Sequence, residues 1–265
     1  MSIRNLAIVL FLVWYLGGKA VALPNDRVCF ALITDMHIQQ KDPKALAGLK
    51  ACVEQINRCD SVDYVFVAGD LVQQPDSMSM WQCKEALDKL DIPYFVVAGN
   101  HDRSYKGKPD TTFHLVFQQD VFCFSDSLLT FMGFSLYRQQ GESQPRLSDI
   151  TWACLDSMLG DQLNVKPMIV VTHEPLVEGD CGNARSVIKW LSKHHTLLVL
   201  SGHYHRYMVY DYDGIPGIVN RALRRTNEEV AAYTQYVIKE GVVYIYECYV
   251  GREPELWLSL PLDYN

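Results

Sequence analysis

The chain has 265 residues, 49% hydrophobic and 21% charged, with a net charge of −7. This is an ordinary globular composition with enough apolar material for a sizeable core, in one large domain or two small ones. The acidity argues against a general basic nucleic-acid surface and so against long nucleic acid as a partner. Phosphate can still bind locally if metal ions supply the positive charge.

The first residues have the form of an export signal. Arg4 is followed by the apolar run Leu6–Leu16 and by Ala20-Val21-Ala22, an A-x-A-like cleavage site. The pattern predicts a signal peptide over residues 1–22 and a single domain over 23–265, exported to a periplasmic or extracellular space. The apolar run falls short of the roughly 20 residues a membrane span needs. A retained anchor is the alternative, and no span is expected once the signal is cleaved. Removing residues 1–22 takes away Arg4 and Lys19 and no acid, so −7 becomes −9.

Cys29, Cys52, Cys59, Cys83, Cys123, Cys154, Cys181 and Cys248 all follow Ala22. Export would permit disulfides, and the alternative is that most are small buried apolar residues. Cys52 and Cys59 lie on a predicted helix, about 10 Å apart along its axis. A disulfide needs Cα atoms within about 7 Å, so these two are not partners.

Short apolar, β-rich runs recur at Val28–Ile33, Tyr64–Val67, Tyr94–Val97, Met168–Val171 and Leu197–Leu200, each reading as a buried strand. Between them, Asp42 can cap a helix with Pro43 at its first position and an apolar stripe at Leu46, Leu49, Val53 and Ile56. Trp81–Leu90 and Ser186–Lys193 read as further helices. The last third predicts antiparallel strands at Tyr207–Tyr212, Gly217–Val219, Tyr236–Lys239 and Val242–Tyr249, with turns at Gly214 and Gly241.

Each buried run ends in metal-capable or acid/base residues. The endings are Asp35-Met36-His37, Gly69-Asp70, Gly99-Asn100-His101-Asp102, His173-Glu174 and Gly202-His203-Tyr204-His205. The carboxyl ends of strands form the ligand crevice of an α/β sheet, so five strands would deliver these groups to one edge. Asp35, His37, Asp70, Asn100, His173, His203 and His205 offer carboxylate, amide and imidazole donors, a mixture suited to Mn, Fe, Zn or Ni. Seven donors exceed one tetrahedral site and fit two metals sharing a carboxylate. Gly69, Gly99 and Gly202 allow sharp turns and close approach. His114, His194 and His195 lack such a context and read as surface residues. The glycine motifs of nucleotide loops and of serine-hydrolase elbows are missing.

These motifs, in this order over residues 35–205, resemble the full signature of the calcineurin-like metallophosphoesterases. The resemblance implies an α/β fold, a four-layer α/β/β/α sandwich with a dinuclear site at the strand ends. It assigns Asp35, His37 and His205 to one metal and Asn100, His173 and His203 to the other, with Asp70 bridging. His101 would be the non-ligand acid, and Asp102 would orient it by a hydrogen bond. Departures narrow the group. Leu71-Val72-Gln73 replaces the Asp-Arg-Gly segment of serine/threonine phosphatases. Asp102 stands where Glu is usual, and Gln73 stands where purple acid phosphatases carry the tyrosine of an Fe(III) site. What remains is similar to the group holding class III cyclic-nucleotide phosphodiesterases and small phosphoesterases.

The expected reaction is hydrolysis of a small phosphomonoester or phosphodiester by a water bridging two divalent ions, with His101 protonating the leaving alkoxide. The alternatives are an exported cyclic-nucleotide phosphodiesterase, a nucleotide or oligonucleotide hydrolase, or a non-catalytic scaffold that would be expected to lose ligands. Arg221, Arg224 and Arg225 are either phosphate contacts or solvated surface charges. Tyr204 and Tyr207 either stack on a substrate or belong to the core.

Overall fold

The computed structural model describes residues 27–105, 108–109, 111–118, 121–138, 141–160, 166–224 and 230–262. The predicted signal at 1–22 and Arg225 lie outside them. Strands β1 (Arg27–Ile33), β2 (Tyr64–Ala68) and β3 (Tyr94–Val97) follow the predicted runs almost residue for residue, with α1 (Pro43–Asn57) and α2 (Ser77–Leu87) between them. The Asp42 carboxylate accepts from Lys44 N at 3.0 Å and Pro43 opens α1, so the predicted cap forms. Helix α2 starts earlier than predicted because Asp76 caps it, accepting from Ser79 N at 2.9 Å.

After β3 come the short helix α3 (Asn100–Arg103), a ribbon of β4 (Ser104–Tyr105) and β5 (Lys108–Pro109), and α4 (Thr112–Phe117). A hairpin of β6 (Val121–Ser125) and β7 (Thr130–Phe134) then leads through α5 (Asp149–Leu159) to β8 (Met168–Val171). Next are α6 (Ala184–Leu191), a 3-10 turn at Ser192–His194 and β9 (Thr196–Ser201). The chain finishes with β10 (Met208–Tyr212), β11 (Ile215–Val219), β12 (Ala232–Lys239), β13 (Val242–Tyr249) and β14 (Glu255–Pro261). Positive φ at Gly214 and Gly241 makes the two predicted turns.

Two six-stranded sheets result, ordered β14-β13-β12-β1-β2-β3 and β10-β11-β9-β8-β7-β6. In the first, β1, β2 and β3 run parallel and β12 joins β1 antiparallel. In the second, β7, β8, β9 and β11 are parallel. The antiparallel expectation for Gly217–Val219 therefore holds only against β10; on its other side β11 pairs parallel with β9.

The period of two along β1 explains the layering. Cys29, Ala31 and Ile33 face α1 and α2, packing with Leu49, Val53 and Met80. Val28, Phe30 and Leu32 face the second sheet, packing with Phe66, Phe131, Ile169, Leu198 and Tyr236. Met132, Phe134, Val170 and Val199 cover the far side of the second sheet beneath Leu155 of α5 and Val187 and Leu191 of α6. The four layers are α/β/β/α, as the resemblance implies. Aromatic contacts bind the sheets together: Phe131 of the second sheet meets Phe30 edge-on at 5.7 Å and lies 5.2 Å from Phe66.

All eight cysteines carry free thiols, and Cys29, Cys52, Cys83, Cys181 and Cys248 are buried, the pattern of small apolar residues. Arg221 departs from both of its expected roles. It is 2% exposed, donates to Glu247 at 2.8 Å and lies over the Tyr249 ring; it is neither a surface charge nor a phosphate contact. Tyr207 is half-buried against Trp257 and Thr234. His114 is exposed, and His194 and His195 are half-buried just before the start of β9.

Candidate metal centre

The predicted donors gather at the carboxyl ends of five strands drawn from both sheets: β1, β2 and β3 from one, β8 and β9 from the other. The turns after β1 and β2 are zipped together, with Asp35 N donating to Gly69 O and His37 N to Asp70 O, both at 3.0 Å. A Cβ on Gly99 would overlap the Asp70 carboxylate, and one on Gly202 would overlap Thr34 and Asp35. Glycine is required there for close approach.

Two donor sets form. In one, His205 Nε2 is 3.2 Å from Asp35 Oδ1 and 3.0 Å from His37 Nε2. In the other, Asn100 Oδ1 lies 3.2 Å from His173 Nε2 and 3.0 Å from His203 Nδ1. Asp70 Oδ2 faces both, at 3.7 Å from His37 Nε2 and 3.2 Å from His173 Nε2. All seven predicted donors are thus brought together. Five of them, Asp35, His37, Asp70, His203 and His205, have positive φ between 48° and 75°, where side-chain-bearing residues are strained. No residue-type signal announces that strain.

The chemistry of the donors fits cations. Two imidazole nitrogens face each other across 3.0 Å, and the carboxylates of Asp35 and Asp70 are each 2% exposed. Buried carboxylates require counter-charge, and no lysine or arginine is paired with either among the described residues. Histidines substitute for it. Burial works to lower the His173 pKa, but the carboxylates of Asp70, Asp35 and Glu174 lift it to about 10. Burial dominates at His37 and lowers it to about 4. The Asp35 hydrogen bond raises His205. Burial alone would raise Asp70, yet the His173 and His37 imidazoles hold it far below the usual carboxylate range.

The surroundings orient the donors. His173 Nδ1 lies 2.7 Å from Ala68 O, so it carries hydrogen and leaves Nε2 facing the centre. Asp35 Oδ2 accepts from His203 N at 3.0 Å, and Asp70 Oδ1 accepts from His101 N at 2.8 Å. Behind the site Arg103 donates to Gly99 O at 2.8 Å and to the Glu174 carboxylate, joining the ends of β3 and β8.

His101 sits beside these sets with its ring edge-on to His37 at 4.7 Å. Its predicted partner is corrected. The Asp102 carboxylate is fully buried and accepts from Gly99 N at 2.8 Å and Val72 N at 3.1 Å. It holds backbone, and His101 Nδ1 instead lies 2.9 Å from Gln73 O, with the Gln73 side chain at 3.4 Å. Sequence reasoning missed Gln73 as a partner because a backbone carbonyl leaves no trace in residue type.

Facing sheets with clustered aspartate and histidine donors at their strand ends define a sandwich suited to a pair of divalent ions. Residues 30–207 match the sequence profile of the calcineurin-like phosphoesterases, and the chain belongs to that family, which makes it a hydrolase of phosphate ester bonds. Among curated proteins, none matches it in sequence. Solved structures share the fold. A dimetal phosphatase from Danio rerio superposes with TM-score 0.65 at 15% identity, over 89% of this chain and 99% of that one. Purple acid phosphatase PPD1 from yellow lupin gives 0.60 at 13%, over 89% of this chain and 53% of its own. GAP50, the anchor in the inner membrane complex of Plasmodium, gives 0.59 at 15%, over 90% and 89%.

Proposed function

We propose that the protein is an exported hydrolase of small phosphate esters. Asp35, His37 and His205 hold one divalent ion, Asn100, His173 and His203 hold a second, and Asp70 is shared. The observation that carries the reading is the position of Asp70 Oδ2, between His37 Nε2 at 3.7 Å and His173 Nε2 at 3.2 Å. Nitrogen and oxygen donors without thiolate favour Mn, Fe or Zn, with Ni also accommodated. Such ions supply Lewis acidity, activating water and offsetting charge on the phosphoryl oxygens.

The chain's own residues do the rest. Asp35 and Asp70 offset only part of the charge of two divalent ions, so the site attracts phosphate although the protein is acidic. Gln73 O engages His101 Nδ1, which leaves Nε2 as the atom that carries a proton to the departing alkoxide. Export rests on the pattern of residues 1–22; among the described residues no helix is long and apolar enough to cross a membrane. It favours substrates met outside the cytoplasm, such as nucleotides, cyclic nucleotides, short oligonucleotides or lipid head groups, over long nucleic acid.

A scaffold is the second reading, since an anchor protein shares the fold. It has no need of a full donor set, and here every position is filled. Metal analysis of the purified protein, followed by assays on phosphomonoesters, cyclic nucleotides, dinucleotides and phospholipid head groups with Mn, Fe, Zn or Ni, separates the two. Two metal equivalents and turnover of one substrate class support the hydrolase. Two equivalents with no turnover favour the scaffold, and no bound metal sinks the proposal.

A further inference from the structure

His203 is held unlike its neighbours. His173 and His101 meet backbone carbonyls, of Ala68 and Gln73, through Nδ1. His203 turns Nδ1 inward, 3.0 Å from Asn100 Oδ1. A neutral imidazole that offers Nδ1 as a lone pair carries its hydrogen on Nε2. That Nε2 points out of the centre toward Asp180 Oδ1 at 3.6 Å, a close charge contact just beyond hydrogen-bond length. The other oxygen, Asp180 Oδ2, accepts from the hydroxyl of Tyr204, the residue after His203. The Tyr204 ring leans on the His203 ring at 5.3 Å.

Asp180 is fixed in place. It lies on the connection between β8 and α6, where Asp180 N and Cys181 N both donate to Val177 O, at 3.2 and 3.0 Å. Leu176 N donates to Tyr212 Oη at 3.2 Å, and Gly182 N donates to Pro145 O at 2.8 Å. Leu176 and Cys181 are buried on either side. The carboxylate therefore meets His203 from a pinned loop.

We infer that Asp180, held by Tyr204, is a positioning residue for the second metal site. Its carboxylate selects the His203 tautomer that presents Nδ1, fixes the ring and makes that nitrogen a stronger donor. Carboxylates on the remote nitrogen of a ligand histidine act in this way, and losing one costs about 10- to 100-fold in metal affinity. The inference rests on the metal-centre reading and adds to it a residue outside the seven donors. Tyr204 thereby acquires a role as a clamp, beside the two expected for it, stacking on substrate or packing in the core.

The test is a competition titration of metal-free protein with Zn(II) against a chelator, for wild type, Asp180→Asn, Asp180→Ala and Tyr204→Phe. Co(II) spectra report the geometry of each site. Both Asp180 variants should lose about 10- to 100-fold in affinity for one of the two metal equivalents, with the other unchanged. Tyr204→Phe should lose less, in the same direction. Thermal midpoints of the metal-free forms should match wild type, which separates positioning from folding. A wild type that binds two equivalents, with Asp180→Ala binding both as tightly, overturns the inference alone. So does a loss shared equally by both sites. A wild type that binds no metal removes the metal-centre reading and the inference together.

Discussion

On the proposed donor assignment, filling the metal centre drives a proton off His173. The perturbation is the addition of a divalent ion to metal-free protein at a series of pH values. His173 Nδ1 donates to Ala68 O at 2.7 Å, so any second proton resides on Nε2, 3.2 Å from Asp70 Oδ2. Opposite unit charges at that separation attract by about 5 kcal/mol at an effective dielectric constant of about 20. Burial opposes the imidazolium, yet with Asp35 and Glu174 added the pKa is lifted from 6.5 to about 10. A bound ion needs the Nε2 lone pair, so ion and proton compete. His37, lowered to about 4, is already neutral and contributes no proton. Apparent affinity for the ion should therefore climb about tenfold per pH unit from about pH 7 toward about pH 10. Calorimetry at about pH 8.5 in two buffers of different ionisation enthalpy should show about one proton released. The same pair governs stability without metal. A histidine whose folded pKa is raised stabilises fully below its ordinary 6.5 and loses that contribution as pH passes through about 10. The thermal midpoint of metal-free protein should fall across that window, and that of the loaded protein should not. Proton-free metal binding with an affinity flat from about pH 7 to about pH 9 would refute the reasoning.

Three further outcomes are expected. His101→Ala should keep both metal equivalents and lose about 100- to 10,000-fold in kcat on an alkyl ester, with a smaller loss on a nitrophenyl ester; equal losses on both would remove its role as acid. Asp102→Ala strands the buried Gly99 and Val72 amides and should cost about 2–4 kcal/mol in urea unfolding, and a stability change near zero would mean that those amides find other partners. Arg221→Ala removes the buried guanidinium that donates to Glu247 and should cost about 3–5 kcal/mol while leaving KM unchanged; a raised KM at wild-type stability would restore the phosphate-contact reading.

Much of this protein is legible along the chain. The strands that carry the site are short, apolar and buried on both faces, so their hydrophobic runs stand out and the polar residue ending each run marks the metal edge. Strand β6 carries little signal because Val121–Ser125 is half-exposed and follows no clean alternation. Strand β14 is a partly exposed edge with a weak pattern. Helix α5 buries only Leu155 and Leu159, too few for a stripe, although Ser148 caps it, accepting from Thr151 N at 3.1 Å. Arg221 reads as a surface charge because nothing nearby in sequence announces Glu247 on β13 of the other sheet.

Residue identity and order by themselves marked the seven candidate donors, because a strand-end Asp or His is a local fact and its chemistry travels with its type. Only the tertiary structure decided which atom of each donor faces inward, since tautomer and orientation follow from partners remote in sequence. Ala68 O turns His173, Gln73 O turns His101 and Asp180 meets His203. Asp102 lost its expected partner for the same reason. Two buried backbone amides lie nearer its carboxylate than the neighbouring imidazole does, and burial makes their satisfaction the stronger demand.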